Sequence, residues 1–175
     1  MEVIFETANN RFLKEQVNLI LSGVSERNLC GSLMLCLRDT LNASEYKNYH
    51  VDIEYNRKQD GKIKTIVRGD LEVIPICCDL IVHSRGENLQ QDNLIALEMK
   101  KSTQPKEEKS KDKIRLKCLT RDSFDGIWSA DGKTFPEHVC RYVLGVYYEI
   151  DVEKRIVELQ YMNKGKMYKQ FSIKF

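Results

Sequence analysis

Three charged residues stand within two short apolar segments of the chain. Residues 78–83 carry Asp79 near their start, and residues 94–100 carry Glu98 and Lys100 near their end. Both segments have the length and aliphatic content that are typical of β-strands. A charged group inside an apolar strand is costly unless a partner neutralises it. The chain is therefore restricted to folds in which these charges meet one another or a ligand.

Strand periodicity predicts which of these groups share a face. Side chains alternate between the two faces of a strand, so Glu98 and Lys100 lie on one face of their segment. A polar stretch containing Gly86 separates the two segments, which predicts a hairpin. Pairing in a hairpin brings Asp79 and Glu98 together. Because neighbouring carboxylates repel unless a cation bridges them, the pair indicates a site for Mg²⁺ or Mn²⁺.

The same pattern suggests a reaction. Lys100 lies one strand step beyond Glu98 and is placed to hold a water molecule or a scissile phosphate. A metal-bound water that attacks phosphorus in line, with the metal and the lysine stabilising negative charge, makes a hydrolytic phosphodiesterase. The alternatives are that Asp79 is a turn residue at the entry to its strand and that Glu98 and Lys100 form an ion pair on an exposed edge strand.

Glu26 is a candidate third acid. Ser25 is placed to cap a helix that runs to about residue 41, and Glu26 lies on its apolar stripe, one turn before Leu29 and Cys30. We therefore expect Glu26 to point toward the sheet. The alternative is that an acid in the first turn only complements the helix dipole.

The remaining segments predict a mixed α/β architecture. A helix over residues 10–21 is ended by Gly23, and a third helix, after the one that Ser25 caps, starts at Pro105 and runs to about Thr120. Predicted strands cover residues 50–55, 80–83, 94–100, 139–150 and 155–162, with an edge strand at 167–173. A short strand pair, broken at Gly69 and Asp70, is predicted within residues 63–76. Residues 121–137 are predicted to form a loop. Hairpin-linked strands followed by a helical crossover predict a mixed sheet with helices packed on it.

The positive charge of the chain is concentrated beside this site. Residues 100–117 contain eight Lys or Arg and three acids, a balance of +5 in a chain whose net charge is +2. A local positive field is expected near a phosphate backbone. The alternative is a solvated helix face with a lysine-rich loop.

Length and composition predict a cytoplasmic, single-domain protein. A chain of 175 residues buries a real core, and it has no apolar run long enough to cross a membrane. The start of the sequence does not resemble a secretory signal. The six cysteines form no Cys-x-x-Cys pair, which favours reduced thiols without a zinc site.

Taken together, these residues resemble the PD-(D/E)xK nuclease superfamily, with the restriction endonuclease-like fold, and are similar to its uncharacterised microbial members. The resemblance rests on Asp79, on Glu98-Met99-Lys100 and on the helical Glu26, with further likeness over residues 24–28, 50–57 and 112–120. It covers about residues 24–162. It implies an α/β fold with an αβββαβ core, in which helices flank a mixed central sheet. One domain of residues 1–175 would add a short helix before the core and an edge strand after it.

The resemblance also implies roles for individual residues. Asp79 and Glu98 would be metal ligands with the Met99 carbonyl as a third, Lys100 would be the catalytic lysine, and Glu26 would touch the metal through water. The activity implied is that of a Mg²⁺- or Mn²⁺-dependent deoxyribonuclease. The chain departs from the family pattern at Cys78, where the family has proline; Pro75 lies earlier, and Asp70 is the alternative acid.

Several alternatives stay open from the sequence. Lys101, Arg57 and Arg115 are candidates for phosphate contacts or for solvated surface. RNA is the alternative substrate, and a non-catalytic module that binds nucleic acid or protein is the alternative function. Because the chain holds little beyond the core fold, we expect sequence specificity to come from a homodimer mate or from a partner subunit, as in a defence system or mobile-element assembly.

Overall fold

The computed structural model describes residues 1–54, 78–88, 90–122 and 140–175, together with the backbone of two short strands between them. The helices are α1 (Glu2–Glu15), α2 (Val17–Leu21), α3 (Glu26–Asn42) and α4 (Lys106–Leu119). The strands are β1 (His50–Ile53), β2 (Thr65–Arg68), β3 (Glu72–Pro75), β4 (Leu80–His83), β5 (Asn93–Lys101), β6 (Leu144–Asp151), β7 (Ile156–Asn163) and β8 (Lys166–Lys174).

Six of the described strands form one mixed sheet in the order β1-β4-β5-β6-β7-β8. Strands β5 and β6 run parallel, with α4 as the crossover between them, and the other neighbours are antiparallel. The predicted mixed sheet, the β4–β5 hairpin and the edge strand β8 are thus confirmed. Strands β2 and β3 form a separate antiparallel pair, as predicted within residues 63–76; the expected break at Gly69 and Asp70 lies outside the described residues.

The sheet separates two apolar layers, which follow from the alternation of its side chains. Leu97 and Met99 of β5 belong to the larger core, beneath α1 and α3. Ala96 faces the opposite way and packs with Leu116 of α4 and Tyr147 of β6. Glu98 and Lys100 share the parity of Ala96, so both project on the α4 side of the sheet.

Helix α3 matches its prediction from capping and periodicity. The Ser25 hydroxyl accepts a hydrogen bond from the Asn28 backbone N–H at 3.3 Å, and Gly23 before it has a φ of 76°, a conformation that glycine adopts at low cost. The buried residues of the helix are those of the predicted stripe: Leu29, Cys30, Leu33, Cys36, Leu37 and Leu41. This stripe fixes which side of the N-terminal turn faces the sheet.

Three predictions about element boundaries need correction. The first helix begins at Glu2 instead of residue 10, because Phe5, Ala8 and Phe12 continue the buried stripe toward the start of the chain. The chain then breaks at Gln16 before α2. Strand β6 begins at Leu144 instead of residue 139, and β1 ends at Ile53 instead of residue 55.

The cysteines of the described ranges lie inside the protein, as do three tyrosines in β6 and just before it. Cys30, Cys36, Cys78, Cys118 and Cys140 are buried free thiols. Tyr142, Tyr147 and Tyr148 are buried against the sheet. Within the described parts of the chain, none of the helices has both the length and the apolar character that a membrane crossing needs.

Candidate active site

The register of the β4–β5 hairpin places Asp79 opposite the end of β5. The backbone pairs Leu80 with Leu97, and Asp79 directly precedes Leu80. Its Oδ2 accepts a hydrogen bond from the Met99 backbone N–H at 2.8 Å. Burial raises the pKa of Asp79, against the lowering effect of the Lys100 charge. The predicted meeting of Asp79 with the Glu98-x-Lys100 segment is therefore present in the fold.

The Lys100 ammonium lies among three carboxylates. Its Nζ is 3.3 Å from Asp112 Oδ2, 3.7 Å from Glu26 Oε2 and 3.8 Å from Asp79 Oδ2. Only 14% of the side chain is exposed. Burial lowers the pKa of Lys100, but the charges of these three carboxylates and of Glu98 outweigh it, so the net shift is upward. Lys100 is consequently a fixed positive charge at neutral pH.

Glu98 is the most deeply buried acid of the group, with 1% of its side chain exposed. Its Oε1 accepts a hydrogen bond from Arg115 Nη1 at 2.5 Å. Cys78, which directly precedes Asp79, is also buried, with 1% of the residue exposed. Burial raises the pKa of Glu98 to about 8, although the Arg115 charge opposes the shift.

Glu26 faces the sheet, as its position on the helix stripe predicted. Its Oε1 accepts a hydrogen bond from the Lys101 backbone N–H at 2.9 Å, while Oε2 is directed toward Lys100. Lys101 in turn donates from Nζ to the Gly23 carbonyl at 2.8 Å. The first turn of α3 is thereby joined to the end of β5, which makes Glu26 part of the site and not only a complement to the helix dipole.

Asp112 is the acid that sequence reasoning missed. It lies on α4 with 5% of the residue exposed, and its Oδ1 is 3.2 Å from Arg115 Nη1. Although Oδ2 lies 3.3 Å from the Lys100 ammonium, it has no hydrogen-bond partner. A detectable signal was present: Asp112 and Arg115 are three residues apart, so they share one face of α4.

The residues predicted to contact nucleic acid are distributed differently. Arg57 and the alternative acid Asp70 lie outside the described residues. Lys101 is half-buried at the edge of the site, and Arg115 points inward to Glu98 and Asp112. Of the basic residues on α4, three are exposed: Lys106, Lys111 and Lys117. The phosphate-contact assignments of Lys101 and Arg115 stay predictions.

Six side chains thus form what we call the Lys100 site: Glu26, Asp79, Glu98, Lys100, Asp112 and Arg115. Across the residues that the structure describes, no three or more His, Cys, Asp and Glu side chains are arranged to hold a metal ion as they stand. Comparisons with models of protein families, with curated proteins and with solved structures found no match. The functional assignment rests on the geometry and chemistry of the Lys100 site.

Proposed function

We propose that this protein is a Mg²⁺- or Mn²⁺-dependent nuclease that hydrolyses phosphodiester bonds in DNA. The observation that carries the proposal is the position of Lys100, whose Nζ lies within 3.8 Å of Asp79 and 3.7 Å of Glu26 at the end of β5. An Asp, a Glu-x-Lys segment and a helical Glu that are distant in sequence meet at one place. Charged residues that served only solubility would be dispersed over the surface and would not converge on one partly buried position.

The arrangement of elements supports the same proposal. Without the separate β2–β3 pair, the order from α3 onward is α3, β1, β4, β5, α4 and β6. This is the αβββαβ order that the resemblance to the restriction endonuclease-like fold implies. Of the acids that the resemblance implies, Glu26 lies on the first helix of this series, Asp79 directly before β4 and Glu98 on β5.

The charge balance of the Lys100 site suits a divalent ion. With every group ionised, its four carboxylates and two cations leave two negative charges, which one Mg²⁺ or Mn²⁺ would balance. Carboxylate oxygens are the ligands that these ions prefer. We assign Asp79, Glu98 and the Met99 carbonyl as direct ligands and Glu26 as a ligand through water. The bound ion would supply Lewis acidity and an activated water.

The protein side chains supply the remaining parts of the reaction. Lys100 stabilises the negative charge that develops on the phosphate oxygens. Arg115 holds the buried Glu98 carboxylate in one orientation through a bond of 2.5 Å. The side chains of Asp79 and Glu26 are 27% and 21% exposed, which leaves the site open to substrate from their side.

The surroundings of the site favour a nucleic acid as substrate. Lys101 follows Lys100 directly, and the exposed Lys106, Lys111 and Lys117 extend the positive surface along α4. Phosphate contacts from such lysines bind the backbone without reading its sequence. We therefore assign recognition of particular sequences to a second copy or to a partner subunit. RNA remains the alternative substrate.

Cleavage of labelled single-stranded and duplex DNA and RNA, with Mg²⁺, Mn²⁺ or EDTA, tests the proposal. The variants are Glu98→Gln and Lys100→Met, which keep side-chain volume, with Lys154→Gln as the control because Lys154 is 72% exposed on the β6–β7 turn. We expect both site variants to lose activity by about a hundredfold or more and the control to keep it. Metal-independent cleavage, or full activity in both site variants, would overturn the assignment. Absence of both cleavage and Mn²⁺ binding by calorimetry would favour a non-catalytic module.

A further inference from the structure

One carboxylate contacts both cations of the Lys100 site. Asp112 lies 3.3 Å from Lys100 Nζ through Oδ2 and 3.2 Å from Arg115 Nη1 through Oδ1. It is placed in the middle of α4, one turn before the fully buried Leu116. A carboxylate on a packed helix has little freedom to move, so both contacts are held by the fold.

Asp112 differs from the other two acids around Lys100. It is the nearest to the ammonium, and its side chain is only 7% exposed, against 21% for Glu26 and 27% for Asp79. Glu26 and Asp79 each accept a backbone hydrogen bond, from Lys101 and Met99. Asp112 Oδ2 has no such partner and lies buried in the site. A buried unpaired carboxylate oxygen is costly, and the Lys100 charge is what compensates it.

We propose that Asp112 is the positioning residue of this site: it holds the Lys100 ammonium where the scissile phosphate binds and orients Arg115 on Glu98. The inference rests on the proposed function. In that function Asp79 and Glu26 serve the metal ion, so they are not available to fix Lys100 during the reaction. Asp112 is the carboxylate of the three that keeps the lysine charge paired and in place throughout.

The test compares Asp112→Asn with Asp52→Asn. Asparagine preserves the shape of Asp112 but removes the charge that holds Lys100. Asp52 is a matched control because it also bonds two partners, His83 and Arg85, and neither belongs to the Lys100 site. Two quantities are measured: steady-state cleavage of DNA with Mn²⁺, and the rate at which an amine-acylating reagent modifies Lys100 at fixed pH, followed by mass spectrometry of peptides.

We expect Asp112→Asn to lower kcat by about tenfold to a hundredfold with little change in KM, and to raise the acylation rate of Lys100 severalfold. Lys109 is the internal standard for an intact fold, since its Nζ donates to the Ser102 carbonyl and to Glu149. Its labelling should stay at the wild-type rate, and Asp52→Asn should match the wild type in both assays. Should Asp112→Asn fail to fold, Asp112→Ser replaces it.

The acylation rate separates this inference from the proposed nuclease function. Unchanged labelling of Lys100 in a folded Asp112 variant overturns the positioning role, whatever happens to cleavage. An equal loss of kcat in Asp52→Asn overturns it too. A wild-type protein that cleaves no nucleic acid refutes the nuclease proposal alone, and increased Lys100 labelling in Asp112→Asn would still support the contact between Asp112 and Lys100.

Discussion

The Asp79 carboxylate accepts a hydrogen bond from the Met99 backbone N–H, with Oδ2 and nitrogen 2.8 Å apart. The backbone hydrogen bonds of the hairpin pair Leu80, the first residue of β4, with Leu97 of β5. The bond from Met99 therefore extends the contact between the two strands to Asp79, the residue before β4. The same Oδ2 lies 3.8 Å from Lys100 Nζ. One acid therefore joins the end of the hairpin and contributes negative charge to the Lys100 site.

Substitutions at Asp79 should separate these two contributions. Asp79→Asn keeps an oxygen that accepts from Met99 but loses the charge, so we expect near wild-type stability with activity lower by about a hundredfold. Asp79→Ala also loses the hydrogen bond and should reduce the free energy of unfolding by about 1–3 kcal/mol. Urea denaturation and DNA cleavage measure the two effects. Full activity of Asp79→Asn would contradict the ligand role.

Removal of Arg115 should destabilise the protein strongly. Well above pH 8, where Glu98 ionises, Arg115→Met leaves the Glu98 carboxylate, which is 1% exposed, without its cation. Loss of one partner from a buried ion pair costs about 3–5 kcal/mol. The double variant Arg115→Met with Glu98→Gln removes the uncompensated charge and should regain part of that loss. Urea denaturation of the three proteins checks this, and a cost below about 1 kcal/mol for Arg115→Met would show that the pair is effectively solvated.

The parts of the fold that sequence predicted well are those set by local periodicity. The stripe from Leu29 to Leu41 repeats at helical spacing, so the buried face of α3 and the inward position of Glu26 both follow from it. The β4–β5 hairpin follows from two aliphatic segments around a polar stretch. Strand alternation then assigns each side chain to one face of the sheet. The proximity of Asp79 to Glu98 and Lys100 could therefore also be predicted from the sequence.

The parts that sequence did not predict depend on contacts between distant residues. Asp112 and Arg115 are inconspicuous in a helix crowded with charges, because the helix uses part of its buried face for polar groups instead of an apolar stripe. In α1, the buried Asn9 accepts a hydrogen bond from the Tyr148 hydroxyl at 2.7 Å. A polar residue at a core position weakens the periodicity signal, so the sequence pattern predicts a start for α1 that is later than Glu2.

Packing of α4 against the sheet should control the Lys100 site through Gly145. A Cβ at Gly145 would stand 2.9 Å from Thr120 Cγ2 and 3.2 Å from Met162 Cβ. We expect Gly145→Ala to displace the end of α4, to cost about 1–3 kcal/mol of stability and to lower activity, since α4 carries Asp112.

The matched control for Gly145 is Gly31 in α3. A Cβ there meets only Ile53 Cδ1 at 3.9 Å, an ordinary contact. Alanine in a helix interior is more favourable than glycine by about 1 kcal/mol, so Gly31→Ala should raise the melting temperature and preserve activity. Equal melting temperatures for the two variants would show that the contact at Gly145 relaxes without strain.

The stabilising effect of Asp52 should depend on pH. Burial raises the pKa of Asp52, but hydrogen bonds from Arg85 and His83 outweigh it and hold the pKa below its ordinary value of 3.8. A depressed carboxylate pKa stabilises the fold above the unfolded pKa, and this stabilisation is lost as pH falls through the folded pKa. Asp52→Asn should therefore cost about 1–3 kcal/mol at pH 7 and progressively less below pH 3.8. Urea denaturation of both proteins across that range measures the difference, and a cost independent of pH would refute it.

Lys101 should contribute a phosphate contact beside the Lys100 site. Its Nζ donates to the Gly23 carbonyl at 2.8 Å. Because the carbonyl is neutral, this bond does not compensate the charge of Lys101. We expect Lys101→Gln to weaken DNA binding and to reduce the slope of log K against log salt by about 1, as expected for one lost contact. Fluorescence anisotropy in EDTA at several salt concentrations measures the slope without cleavage. Lys154→Gln is the control, because Lys154 pairs with Asp151 on an exposed turn; an identical slope for wild type and Lys101→Gln would remove Lys101 from the binding surface.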